Sequence, residues 1–83
     1  MSNISPKNLK IGDEFYECAY GFNIHLVVTS HIEENTVIID GKERTQYSWF
    51  ARNVDTDHEV EYLVTEGLEH YGPNLYSEPM YKE

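Results

Sequence analysis

The chain is poor in most residues that carry chemistry. One cysteine, Cys18, occurs among 83 residues, so no internal disulfide can form and no pair of thiolates can seed a structural zinc site. A reducing, cytosolic setting fits that usage. Positive charge is scarce as well: six Lys and Arg stand against fifteen Asp and Glu, a net charge of −9. Binding to phosphates is driven by lysine and arginine displacing counterions, so this balance argues against DNA, RNA and anionic membranes as direct partners. Long apolar runs are missing. The longest are three residues, as at 26–28 and 37–39, and fall far short of a membrane span, and residues 1–10 hold no apolar core for a signal peptide. Together these features predict a soluble, cytoplasmic protein.

Catalytic signatures are absent too. There is no Gly-rich phosphate loop, no nucleophile elbow and no paired-histidine motif. Cys18 with a histidine is the one conceivable nucleophilic pair, and nothing in the sequence fixes the two near each other. Alternation groups Cys18 with Tyr16 and Tyr20, which reads as a small inert side chain filling a sheet face. His25 and His31 lie six residues apart on one extended run, roughly 20 Å at about 3.3 Å per residue, too far to share an ion. Asp55, Asp57 and His58 could meet a cation at a turn, but they lack the spaced oxygen ligands of a calcium loop, and turn chemistry accounts for them. The sequence therefore predicts no enzyme, no metal and no cofactor.

What is present is apolar and aromatic material in short alternating runs. Hydrophobic residues make up 40% and aromatics 13% of the chain, too much for a wholly disordered protein. Gly12-Asp13 forms a turn before a strand over 15–20, and Gly21 breaks that run. Residues 22–32 alternate as a long strand, with Leu26 and Val28 on one face and His25 and Val27 on the other. Glu33, Glu34 and Asn35 read as a polar turn, and 36–40 as a β-branched strand ended by the tight-turn pair Asp40-Gly41. Residues 47–54 and 59–64 read as a hairpin about a loop of about four residues. No apolar repeat of 3.6 is sustained, and 65–70 is at most a short helical turn.

Five successive short strands with tight turns predict a mainly β fold, a small antiparallel SH3-like barrel or strongly bent meander with an irregular C-terminal arm. The 83 residues form one domain: a lead-in over 1–8, the barrel over 9–64, and a helical turn and arm over 65–83. Pro73 and Pro79 argue against regular pairing in that arm.

The last third carries the functional signal. From Asp55 to the end, eight carboxylates face a single base, Lys82, and four of the seven tyrosines lie there. Tyrosine suits contact surfaces because it offers much area, few rotatable bonds and a polar tip, and carboxylates around it select a basic partner. The plain alternative is a solvated acidic face that maintains solubility. Tyr62 alternates with Val60 and Val64 and is assigned inward. Tyr71, Tyr76 and Tyr81 either pin the arm or face a partner. The candidate partner-binding residues are Glu59, Glu61, Glu66, Glu69, Tyr71, Tyr76 and Tyr81. Trp49 reads as core, with a contact anchor as the alternative.

The runs Leu9-Lys10-Ile11-Gly12-Asp13, Val64-Thr65-Glu66-Gly67 and His70-Tyr71-Gly72-Pro73-Asn74-Leu75-Tyr76 resemble those of small accessory proteins of large tailed bacteriophages. That resemblance implies a setting: such proteins bind and inhibit or adjust host factors, including defence nucleases. The leading expectation is a non-enzymatic binding protein that engages a basic surface of a host protein, in the manner of a nucleic-acid mimic if that surface holds nucleic acid. The second is an oligomeric sponge for a nucleotide signal, stacking the base on Trp49, Tyr71 or Tyr76 while Arg44 and Arg52 meet phosphate.

Overall fold

The computed structural model describes residues 4–81. Six strands form one antiparallel sheet: β1 (Glu14–Ala19), β2 (Phe22–Val28), β3 (Glu33–Ile39), β4 (Lys42–Asn53), β5 (Glu59–Thr65) and β6 (Leu75–Tyr76). Short 3-10 turns at Pro6–Asn8 and Glu69–Tyr71 are the only helical elements among the described residues. Two hairpins are set by tight turns in which both central residues have positive φ: Tyr20 and Gly21 (54° and 81°), and Asp40 and Gly41 (52° and 75°). Such turns match the right-handed twist of the strands they join. They fix the register of β1 on β2 and of β3 on β4.

The organising strand is β4. One of its edges pairs first with β3 (Ser48↔Glu33 to Lys42↔Ile39) and then with β2 (Ala51↔Val28 to Asn53↔Leu26), while its other edge pairs with β5 over 46–52. Where the neighbour changes, the Phe50 N–H donates to Ser30 Oγ (2.8 Å) and the Thr29 N–H donates to Phe50 O (2.9 Å). The link between β2 and β3 thus satisfies the gap in the ladder, as a backbone donor in a partly covered sheet requires. The sheet curls into a half-barrel in the order β3-β4-β2-β1-β6 with β5 on the other edge of β4, and Tyr62 of β5 reaches Glu17 of β1 across the opening, its hydroxyl 2.7 Å from Glu17 Oε1.

The concave face is the core. Phe15, Leu26, Val28, Tyr47, Trp49, Ala51, Tyr62, Val64 and Leu75 are buried there, with Ile4, Leu9 and Ile32 packed against them. Trp49 and Tyr62 are direct cross-strand partners and stack at 5.7 Å, and Phe15 meets both rings edge-on, at 6.1 and 5.4 Å. Offset stacks and edge-to-face contacts are the favoured geometries for aromatic quadrupoles. Trp49 is 1% exposed, so the core assignment holds and the contact-anchor alternative does not.

Four boundaries differ from the sequence reading, and one is the start of β4, expected at 47 and found at Lys42 because residues 42–46 pair with β3 across the Asp40-Gly41 turn. The strand expected over 22–32 stops at Val28, because the chain must there leave β1 and cross the edge of β4. Glu33, Glu34 and Asn35, read as a turn, open β3, since a pairing partner in β4 outweighs their low strand preference. The arm is not wholly irregular: Leu75 and Tyr76 pair with Glu17 and Tyr16 as β6, in the interval between Pro73 and Pro79 where neither proline is asked to donate. Residues 65–70 form no α-helix.

Candidate functional site

Direct cross-strand partners in an antiparallel sheet point to the same side, and side chains alternate along each strand. Register therefore defines the convex face residue by residue. One row runs Glu59 (β5), Arg52 (β4), Val27 (β2), Glu14 (β1). The next along β2 holds His25, Tyr16 and Tyr76, and the next Asn23 and Cys18. Toward the far end of β5, Glu61 opposes Phe50, which is 41% exposed. Carboxylates and aromatic rings thus share a single face built from five strands.

The face carries a groove of about 430 Å³ lined by Tyr16, Asn23, His25, Asp55, Pro79 and Tyr81. Tyr16 and His25, cross-strand partners, stack with centroids 4.6 Å apart, and His25 Nε2 lies 2.6 Å from Glu14 Oε1. The opposite wall is the C-terminal arm. Asn23 clamps it through both ends of its amide: Oδ1 accepts from the Met80 N–H (3.1 Å) and the Tyr81 N–H (3.0 Å), and Nδ2 donates to Tyr81 O (2.6 Å). Three bonds between positions nearly sixty residues apart hold the arm across β1 and β2. The third side is the β4–β5 loop. There Asn53 Oδ1 accepts from the Asp55 N–H (2.9 Å) and the Thr56 N–H (3.2 Å), and the Val54 N–H donates to His25 O (3.0 Å). A side chain that caps its own loop in this way forms an Asx turn.

Two tyrosines on the concave side behave differently. The Tyr62 hydroxyl donates to Glu17, and burial first, then this bond and the carboxylate charge, push its phenol far above the usual range. Tyr47 donates to Glu66 Oε2 at 3.2 Å and is raised by burial, by that bond and by the charges of Glu66 and Glu34. Glu69 moves the other way. Its carboxylate accepts from the Gly67 N–H at 2.8 and 3.0 Å, which with its own backbone N–H, His70 and Arg44 lowers its pKa.

The seven residues expected to bind a partner divide accordingly. Glu59, Glu61, Tyr76 and Tyr81 lie on the convex face or the arm that crosses it. Glu66, Glu69 and Tyr71 sit beyond the end of β5: Glu66 takes a bond from a core tyrosine, and Tyr71, 80% exposed, rests on the His70 ring at 4.0 Å. The nucleotide constellation is not assembled. Trp49 is buried on the concave side, and Arg44 and Arg52 are eight residues apart on β4, on the order of 26 Å at extended spacing. Arg52 is held on Asp57 (3.1 Å), while Arg44 lies over Gly67 with its Nη1 3.5 Å from Glu66 O. Within one chain Trp49 is therefore withdrawn from stacking and the two arginines do not converge, while Tyr71 is exposed.

Cys18 is buried on the convex side opposite Asn23, and no hydrogen bond joins it to a histidine among the described residues. No cluster of three or more His, Cys, Asp or Glu side chains suited to a metal ion occurs among them either. No helix among them is long and apolar enough to cross a membrane.

Sequence reasoning missed Glu14, Tyr16, Asn23, His25, Asp55 and Pro79. Part of the signal was present, because the Tyr20-Gly21 turn alone places Tyr16 against His25 and Cys18 against Asn23. The contributions of Asp55 and the arm depend on contacts distant in sequence. No protein-family model, curated protein or solved structure matches the chain, so these residues stand on their geometry alone.

Proposed function

We propose that the protein is a non-enzymatic binding module whose convex face engages a basic surface of another protein. One observation carries this reading: strand register brings Glu14, Glu59, Glu61 and the loop acids Asp55 and Asp57 onto or beside a face that also offers Tyr16, Tyr76, Tyr81 and Phe50. Interfaces favour such aromatic anchors, and a one-signed field steers association with an oppositely charged partner. Alternation puts Lys42, Arg44 and Arg52 on this side of β4; the first two lie in the stretch paired with β3, where Arg44 donates to Glu66 O, and Arg52, in the rows shared with β2, is tied to Asp57. In the phage-type setting suggested by the sequence, the partner is a host protein. Where its basic surface normally holds nucleic acid, the carboxylates take the place of phosphates and the module competes for the surface.

The test is retention of a partner from bacterial lysate at low salt by the wild type, by the pair Glu59→Lys/Glu61→Lys and by the pair Glu66→Lys/Glu69→Lys. The reading expects the first pair to abolish retention and the second to leave most of it, with retention falling as salt rises. Equal retention by all three proteins overturns it.

A further inference from the structure

We propose that the groove between the β1–β2 outer face and the C-terminal arm seats one guanidinium side chain of the partner. This rests on the reading that the convex face meets a basic protein, and it names the contact that gives the face its register. The lining has the composition a cation needs. Two tyrosines line it, Tyr16 with its ring braced by the stack on His25 and Tyr81 with its backbone held by Asn23, beside the apolar Pro79 and the acidic Asp55. A cation is attracted to the faces of aromatic rings, and arginine, planar and weakly hydrated, uses such faces best while bonding a carboxylate with its fork.

Charge complementarity selects the occupant. No lysine or arginine lines the groove among the described residues, and the nearby Arg52 is held at 3.1 Å from Asp57. The Asp55 carboxylate accepts no hydrogen bond from the described residues, whereas the backbone around it is fixed by the Asn53 cap and by the Val54 bond to His25 O. An anionic occupant such as a nucleotide phosphate would instead face Asp55, with Glu14 and Asp57 close by. Both walls are set before anything binds: Asn23 holds the arm by three hydrogen bonds, and the loop holds itself. Prior ordering of this kind lowers the entropic cost of binding.

The experiment is an NMR titration of the isotopically labelled full chain with three small probes: N-acetyl-arginine methylamide, N-acetyl-lysine methylamide and the uncharged N-acetyl-norleucine methylamide. The expected result is saturable shifts at the amides of Asn23, His25, Asp55 and Tyr81 with the arginine probe, weaker ones with lysine and none with norleucine. Asp55→Asn and Tyr81→Leu, which keep the backbone groups that Asn23 and Asn53 bind, should each weaken the arginine probe by roughly twofold to fivefold. Shifts that are equal for arginine and norleucine, spread along β5 instead of the groove, absent across the millimolar range, or untouched by both variants overturn the proposal. Retention of the partner separates it from the broader reading. If Glu59→Lys/Glu61→Lys abolishes retention while Asp55→Asn/Tyr81→Leu leaves it unchanged, the convex face stands and the guanidinium seat falls. If the arginine probe fills the groove yet no partner is retained, the seat stands and the wider face reading falls.

Discussion

The two faces of this half-barrel use the same residue types to opposite ends. On the concave side tyrosine and glutamate satisfy one another: Tyr62 donates to Glu17, Tyr47 donates to Glu66, and the rings pack against Trp49 and Phe15. On the convex side Tyr16 and Tyr81 line an open groove with Asp55, whose carboxylate takes no proton donor from the described chain. A phenol bonded to a carboxylate inside a core is structural, because breaking either half strands a polar group away from water. Rings and a carboxylate around a solvent-filled groove are available to another molecule. Composition alone does not separate these roles. Side of the sheet does.

That contrast can be broken from either side, and the largest effect should come from the core. Trp49→Ala removes the ring on which Phe15 and Tyr62 pack and should cost about 3–5 kcal/mol, read as a loss of urea midpoint, enough to unfold a marginal domain of this size. Phe50→Ala, its neighbour on the convex face, should cost less than about 1 kcal/mol. Similar costs for the two would erase the distinction between the faces.

Next comes the clamp. Asn23→Ala removes three hydrogen bonds to the arm at once and should cost about 1–3 kcal/mol, with the loss concentrated in faster amide exchange at Met80 and Tyr81 while β4 and β5 stay protected. Uniform acceleration across the sheet would mean that the arm is part of the cooperative core and not a wall laid on it.

The third prediction concerns pH. Because Tyr62 has its pKa raised in the folded chain above the ordinary value of 10.0, the unfolded chain loses this proton first. Stability should therefore hold through neutral pH and fall as pH rises past about 10, with Tyr47 acting in the same direction. Tyr62→Phe should flatten part of that alkaline limb at a cost of about 1–2 kcal/mol at neutral pH, since Glu17 then loses its donor. An alkaline limb unchanged in the variant would locate the titration elsewhere.

The smallest effect on stability belongs to the convex acids. Glu59→Gln with Glu61→Gln should shift stability by no more than about 0.5 kcal/mol, measured by denaturant melt, while weakening partner retention. A large loss of stability would show these carboxylates to be structural and would make the two faces alike.

Much of the fold was legible because it is local. Alternation set Leu26 and Val28 on one side of β2 and His25 and Val27 on the other, Trp49 read as core, and Gly21 and Asp40-Gly41 marked the two tight turns. The site was legible only in part. Glu59, Glu61, Tyr76 and Tyr81 carried a signal in the charge and tyrosine content of the last third. Glu66, Glu69 and Tyr71 carried the same signal and stand apart, because Glu66 bonds Tyr47 of the concave side and the other two lie in the 3-10 turn beyond β5. Asn23 gave no local sign of its role, since its partners Met80 and Tyr81 lie at the other end of the chain.

By itself, then, the sequence determined a small, acidic, single-cysteine chain of alternating strands whose inward residues could be read from a period of two. Side-chain alternation and turn preference act over two to four residues, and no distant contact is needed to express them. Only the tertiary structure decided that β2 and β3 share one edge of β4, that the arm returns to β1 between its prolines, and that Asn23, Asp55 and Tyr81 meet around one groove. Those choices depend on which long-range pairings bury the aromatic core and close the hydrogen-bond ladder together, a condition that no single segment contains.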